Sequence, residues 1–325
     1  MNSTKVLFNK IIQSGVSMSL PVENQAKFHA NSNRDLSQSL KSIHLRMSTP
    51  ISIPTIHLIP ELDQLLIELL QSISAEDWSK QTLSPAWNVK DVAAHLLDGN
   101  VRSLSSSRDD YKDSHTPDSN GLQDVVKYLN TINHDWVKAM KRVSPAVLIA
   151  LLEITNPSYS DHLKSLPPFE KAIFSVGWAG ESESQNWFHI AREYTEKWHH
   201  QQQIREAIGG ASPLFEERYF KPYLDTSLRA LPYYLQSVSA ESGDTFSLFV
   251  SGPGGGEYHL MYENGKWAFC ENKPTYSVTK IHIDDQVIWR LFSRQISQEE
   301  LKNRTSIFGK QEPAEAFLNM KAVMV

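Results

Sequence analysis

From Glu183 to Ile208 the chain carries Trp187, Tyr194, Trp198 and Ile204 on several sides of a helical period, with Gly209-Gly210 placed to end the helix. Apolar surface in several directions predicts a helix enclosed by other elements. The same segment carries a polar stripe. His189, Arg192, Glu196 and His200 fall at offsets 0, 3, 7 and 11, one face at helical period. Polar groups buried without partners are costly, so such a stripe calls for buried partners or an ion. A solvated face is the alternative, because Lys197 and the run Gln201-Gln202-Gln203 also need a place.

Glu196 and His200 stand one helical turn apart on one face, a spacing that suits two ligands of one metal ion. About a hundred residues earlier, Trp87-Asn88-Val89-Lys90-Asp91-Val92-Ala93-Ala94-His95 reads as another helix start. Asn88 is a good N-cap, Asp91 completes a capping-box-like pair, and Pro85 and Trp87 fix the approach of the chain. His95 lies two turns in among Ala93, Ala94, Leu96 and Leu97, so its face packs against a neighbouring helix. It can supply a third ligand or be a satisfied core histidine. Asp91 and Asp98, at i−4 and i+3, are positioned to orient its ring. Two His and one carboxylate with a position left open form the ligand set of a catalytic divalent ion, most often zinc.

Thr82-Leu83-Ser84-Pro85-Ala86-Trp87-Asn88-Val89-Lys90-Asp91, followed by Val92 to Leu96, resembles the signature of the DinB-like, mycothiol-dependent maleylpyruvate isomerase family. So does Glu196-Lys197-Trp198-His199-His200 leading into Ile204-Arg205-Glu206-Ala207-Ile208-Gly209. The resemblance runs from about Ile53 to the C-terminus and includes Tyr276 to Arg294 and Phe308-Gly309-Lys310. It implies an N-terminal four-helix bundle that holds one divalent metal, usually zinc, through His95, Glu196 and His200. It also implies a smaller C-terminal α+β domain of sterol-carrier-like fold, giving a mixed α and α/β chain. Many members carry Asp three residues after the second metal His, where this chain has Gln203.

The expected domains are an extension, residues 1–51, a metal-binding DinB-like bundle, residues 52–211, and a small α+β domain, residues 212–325. The first segment lacks a sustained apolar period and is expected to be disordered or weakly structured, with Met18 or Met47 as alternative starts. Within the bundle, Pro60 opens a helix from Glu61 to Ser72, and the His95 helix ends near Ser105. A third helix covers Leu122 to Arg142. The segment from Pro145 to Pro167 reads as a helical insert with Val147, Leu148, Leu151, Leu152 and Ile154. Beyond Gly209 one helix is expected from Leu214 to Ser237, kinked or broken at Pro222 and Pro232. Strands follow at 245–250, 257–262, 266–271 and 276–283, with Asn264-Gly265 as a hairpin turn. Helices are expected near 284–294, 297–301 and 314–320. The run Gly252-Pro253-Gly254-Gly255-Gly256 lacks the Lys-Ser/Thr of a phosphate loop and leads into a strand, so it reads as a turn.

A net charge of −5 without a Lys/Arg run argues against nucleic acid, and no apolar run is long enough to cross a bilayer. The single Cys270 sits in a strand-like run, reads as a core residue, and fits a reducing cytoplasm. Any thiol used in chemistry then arrives as a small co-substrate. The resemblance implies a zinc-dependent thiol transferase or isomerase whose partners are a low-molecular-weight thiol and a small electrophile; a homodimer is left open. A hydrolase using a metal-bound water is the nearest alternative, and a non-catalytic metal- or ligand-binding protein is the other. Arg192 and one of Arg290, Arg294 or Arg304 are candidates to hold an anionic substrate, with salt bridges as the competing role.

Overall fold

Asn186–Ile208 forms the central helix of the protein: 17 of its 23 residues are buried. In this computed structural model residues 52–112 and 122–322 are described. The expected extension, residues 1–51, lies outside them. Helix α1 (Ile59–Ser72) has Pro60 in its first turn and buries Ile59, Leu62, Leu66 and Leu70. α2 (Val89–Ser103) starts in a full capping box, in which the Asn88 side chain accepts from the Asp91 amide and the Asp91 carboxylate from the Asn88 amide. α3 (Leu122–Met140) and α4 (Pro145–Ser165) follow, and Ser144 caps α4. The central helix is α5, and Gly209 at φ +80° ends it.

The four-helix arrangement differs from the expected one in one member. α4 packs against both α1 and α2, as does α5, whereas α3 lies against α2. The segment expected to be an insert is therefore part of the bundle. Its buried stripe, Leu148, Leu152, Asn156, Tyr159, Ser160 and Leu163, follows the helical period, and Val147 and Ile154 are exposed. Two polar members in that stripe hid its true face from a reading of apolar residues alone. In α3 only Val137 is buried among the described side chains.

Past α5 the expected single helix divides into α6 (Glu217–Ser227) and α7 (Leu231–Tyr234), with a 3₁₀ turn at Leu228–Ala230 between them. Pro222 is accommodated inside α6, and Pro232 sits in the first turn of α7, where its missing N–H costs nothing. Five strands form one sheet: β1 (Thr245–Ser251), β2 (Gly256–Glu263), β3 (Lys266–Phe269), β4 (Thr279–Asp284) and β5 (Thr305–Gly309). Their order is β3-β2-β1-β4-β5. β1 and β4 are parallel, and the remaining neighbours are antiparallel. Asn264 and Gly265 join β2 to β3 with φ of +53° and +79°, the two positive values that a type I′ turn needs. The glycine run is the turn between β1 and β2. α8 (Asp285–Phe292), α9 (Gln298–Asn303) and α10 (Gln311–Leu318) complete the chain. The protein is thus a helical N-terminal region followed by a small sheet domain.

β5 has no counterpart among the expected strands. It is five residues long, pairs on one side only, and is mostly exposed, so no alternation marks it. The sheet domain and the bundle share one apolar cluster, which runs from Leu58 and Ile59 through Trp187 and Trp198 to Phe246, Ile281 and Phe317. Trp198 on α5 is its hinge point. Its ring stacks on Tyr223 of α6 at 4.0 Å and meets Trp289 of α8 edge-on at 6.1 Å. A second cluster, with Leu66, Leu70, Val92, Leu97, Leu148 and Leu152, fills the bundle itself.

Candidate metal centre

The two distant motifs meet where α2 faces α5. The rings of His95 and His200 lie edge to face, 4.7 Å apart between centroids, and Trp87 covers His95 at 4.7 Å. His200 Nε2 faces Glu196 Oε2 at 3.4 Å. A charge-assisted hydrogen bond would be about 2.7–2.9 Å. Two ligands each about 2.1 Å from a tetrahedral ion stand about 3.4 Å apart. The His95 Nδ1 is buried without a hydrogen-bond partner. Burial, then the neighbouring His200 and Arg102, hold its pKa well below the usual imidazole value. The ring is therefore neutral near pH 7, the form in which imidazole binds metals. Among the described residues, no three His, Cys, Asp or Glu side chains stand in positions that hold one ion. The three side chains converge without closing. Gly99, one turn beyond His95, leaves open space where a side chain would stand.

The second nitrogen of His200 is committed. His200 Nδ1 lies 2.8 Å from Gln203 Oε1, an acceptor, so Nδ1 carries a proton, and Nε2 is the nitrogen that faces Glu196. Neither aspartate expected to orient His95 does so. Asp91 is drawn to the Asn88 amide and to Lys141 at 2.6 Å. Asp98 lies 3.4 Å from Arg102. Cap and ion-pair partners on their own side of α2 outcompete the imidazole.

Several of the remaining polar residues of α5 find buried partners, although His199 Nδ1 and both amide atoms of Gln201 have none. Arg192 pairs with Glu193 and approaches His189 Nδ1 at 3.0 Å, and Tyr159 of α4 donates to Glu193 at 2.5 Å. Burial pushes the Glu193 carboxyl up, but Arg192, His189 and the Tyr159 hydroxyl outweigh it and hold the pKa at about 2. Lys197 donates to Asp63 of α1 at 2.6 Å and to Asn100 of α2 at 3.2 Å, and Asn100 donates to Asn156 of α4 at 2.7 Å. This interior network was invisible in the sequence, because each member sits on a different helix.

Of the four arginines considered for an anion, Arg290 pairs with Glu300 at 2.8 Å and Arg304 with Asp284 at 2.9 Å. Arg294 donates to the Asn319 carbonyl at 2.9 Å. Burial and Glu263 push the Cys270 thiol up to about 11, so it is protonated near neutral pH. A cavity of about 410 Å³ lies against the end of α5, lined by Gln202, Arg205, Glu206, Ser212, Phe215 and Gln286. It contains none of His95, Glu196 and His200. No helix among the described residues is long and apolar enough to cross a membrane.

No curated protein matches the sequence. Among solved structures, a crystal structure of a histidine-to-alanine mutant of the mycothiol-dependent maleylpyruvate isomerase is similar at 12% identity and a TM-score of 0.49, covering 80% of this chain and 95% of that one. A sterol carrier protein-2 like-3 from Aedes aegypti is similar at 18% identity and a TM-score of 0.21, covering 29% of this chain and 90% of that one. Likenesses of this size say nothing of the reaction. The sequence profile of the mycothiol maleylpyruvate isomerase N-terminal domain matches residues 59–205, the stretch that holds His95, Glu196 and His200. The helical region, residues 59–205, is thus a domain of the DinB-like, maleylpyruvate isomerase type.

Proposed function

We infer that the protein is a metal-dependent enzyme that holds one divalent ion, zinc in the first instance, through His95, Glu196 and His200. It uses a small thiol to transfer to, or isomerise, a small electrophile. The observation that carries this reading is the gap between His200 Nε2 and Glu196 Oε2. Gln203 Oε1 accepts from Nδ1, so in the neutral ring the Nε2 lone pair and a carboxylate oxygen face each other at 3.4 Å. Two acceptors in that arrangement need a positive charge between them, and the spacing suits an ion better than a proton. The buried, unpartnered His95 Nδ1 supports the same reading.

Bound there, a divalent ion supplies Lewis acidity that lowers the pKa of a thiol or water in its open position. The chain's own residues do the rest. Trp87 and His95 wall off one side of the cluster, and Glu196, with its side chain 24% exposed, opens it on another. The thiol must come from outside, since Cys270 is protonated and lies at the end of β3. The family supports a thiol-dependent, isomerase-like reaction, and mycothiol is the first thiol to try.

The test is elemental analysis of the purified protein, followed by cobalt substitution and titration with mycothiol, bacillithiol and glutathione. One ion per chain, lost in His95→Ala and His200→Ala, is expected, together with a strong near-ultraviolet band on adding one of the thiols. Full metal content in both variants would overturn the ligand assignment. No band with any thiol, alongside ester or amide hydrolysis that His200→Ala abolishes, would replace thiol chemistry with hydrolysis.

A further inference from the structure

We propose that Gln295, from the C-terminal domain, is a positioning residue of the metal centre, acting through Gln203 to fix which nitrogen of His200 is free to bind the ion. The proposal rests on the ligand assignment above and deepens it. His200 Nδ1 lies 2.8 Å from Gln203 Oε1, and Gln203 Nε2 donates to Gln295 Oε1 at 2.9 Å. A glutamine amide presents a donor and an acceptor that exchange places when it flips. Gln203 alone could therefore face His200 with either group, and the imidazole would take either tautomer. A second amide whose oxygen accepts from Nε2, as Gln295 does here, couples the orientation of Gln203 to its own. With Gln295 in place, Gln203 offers only its oxygen to His200, Nδ1 keeps the proton, and Nε2 is left for the ion.

The backbone around Gln295 is built to hold that position. At the end of α8 the Gln295 amide donates to the Arg290 carbonyl at 2.8 Å, and the Arg294 amide donates to the Leu291 carbonyl at 2.9 Å. These are the paired bonds of a Schellman motif, which needs a left-handed residue between helix and exit. Arg294 takes that conformation, with φ +55°, although glycine, which has no Cβ to strain there, is the usual choice. The exit turn aims Gln295 back at α5, so the sheet domain reaches a ligand histidine of the bundle. An amide at Gln203, unlike a carboxylate, has two faces, and this creates the need for a second residue.

The test compares wild type with Gln203→Ala, Gln295→Ala and the double variant. In metal-free protein, at a pH where the ring is neutral, long-range ¹⁵N spectra should report His200 protonated on Nδ1 in wild type and a mixture of tautomers in Gln295→Ala. His200→Ala identifies the signal. Zinc affinity, measured by competition with a chromophoric chelator, should fall roughly tenfold in each single variant. It should fall no further in the double variant, because the two amides act in series. Wild-type His200 protonated on Nε2, or a tautomer unchanged by Gln295→Ala, would overturn the proposal, as would losses of affinity that multiply in the double variant. If wild type binds no ion but the tautomer responds as expected, the metal assignment fails and the positioning role stands.

Discussion

Lys197 and Asp63 form an ion pair at 2.6 Å inside the bundle, between α5 and α1, with side chains only 9% and 8% exposed. Burial raises the Asp63 pKa, and Lys197 acts against it by charge and hydrogen bond. A pair of this kind adds little compared with apolar residues of the same size, but losing one partner strands the other. Lys197→Met is expected to cost about 3–5 kcal/mol in chemical denaturation. Pairing it with Asp63→Leu should recover most of the loss, and a double variant no better than the single would contradict this.

Acid should weaken the fold over two pH ranges. Burial, then Arg192, lowers the His189 pKa to about 4, although Glu193 acts the other way. Its unfolded value is near 6.5, so the unfolded chain binds the extra proton and stability falls as pH drops from 6.5 through 4. Glu193 titrates near 4.5 when unfolded and near 2 when folded, so its contribution disappears between those values. Melting temperature measured against pH should decline over both ranges. In His189→Gln the upper decline should be shallower, and an unchanged curve would count against it.

Cys270 should be chemically quiet. With its pKa pushed up to about 11, little thiolate exists at pH 7. Alkylation of the folded protein at pH 7 should be much slower than that of a free thiol, and Cys270→Ala should keep its metal content. Rapid modification accompanied by loss of the metal would link this residue to the centre.

Gly252 sits at φ +110°, where a Cβ would collide with the Asp285 carboxylate at the start of α8. Gly252→Ala should destabilise through both backbone strain and this clash. Asp285→Ala in the same chain should restore part of the loss, leaving about 1–2 kcal/mol for the left-handed backbone. A cost identical in the two backgrounds would mean that the clash relaxes freely.

What the sequence made legible was whatever depends on near neighbours. Asn88 and Asp91 carry a cap within three residues, Asn264-Gly265 carries a turn within two, and Glu196 and His200 share a face one turn apart. Features that depend on a partner far along the chain were not readable. α4 passed for an insert because Asn156 and Ser160 occupy its buried stripe, and their burial follows from Asn100 and the neighbouring helices. β5 is defined by its bonds to β4, not by a pattern of its own. Gln203 was visible as a departure from the family. Gln295, 92 residues further on, carried no signal at all.

The ring of Trp198 is fully buried, with faces toward Tyr223 and Trp289 that come from outside the bundle. An excised bundle would carry that indole, together with Phe188 and Tyr194, on an open oily wall. Such a fragment would stick to itself, whatever the quality of its remaining helices. Exchange of the sheet domain between relatives faces the same obstacle: an incoming domain must bring its own aromatic mate for position 198. Swaps that move the tail without residues 215 to 223 should yield insoluble chimeras. The two halves of this protein must therefore be engineered as one piece.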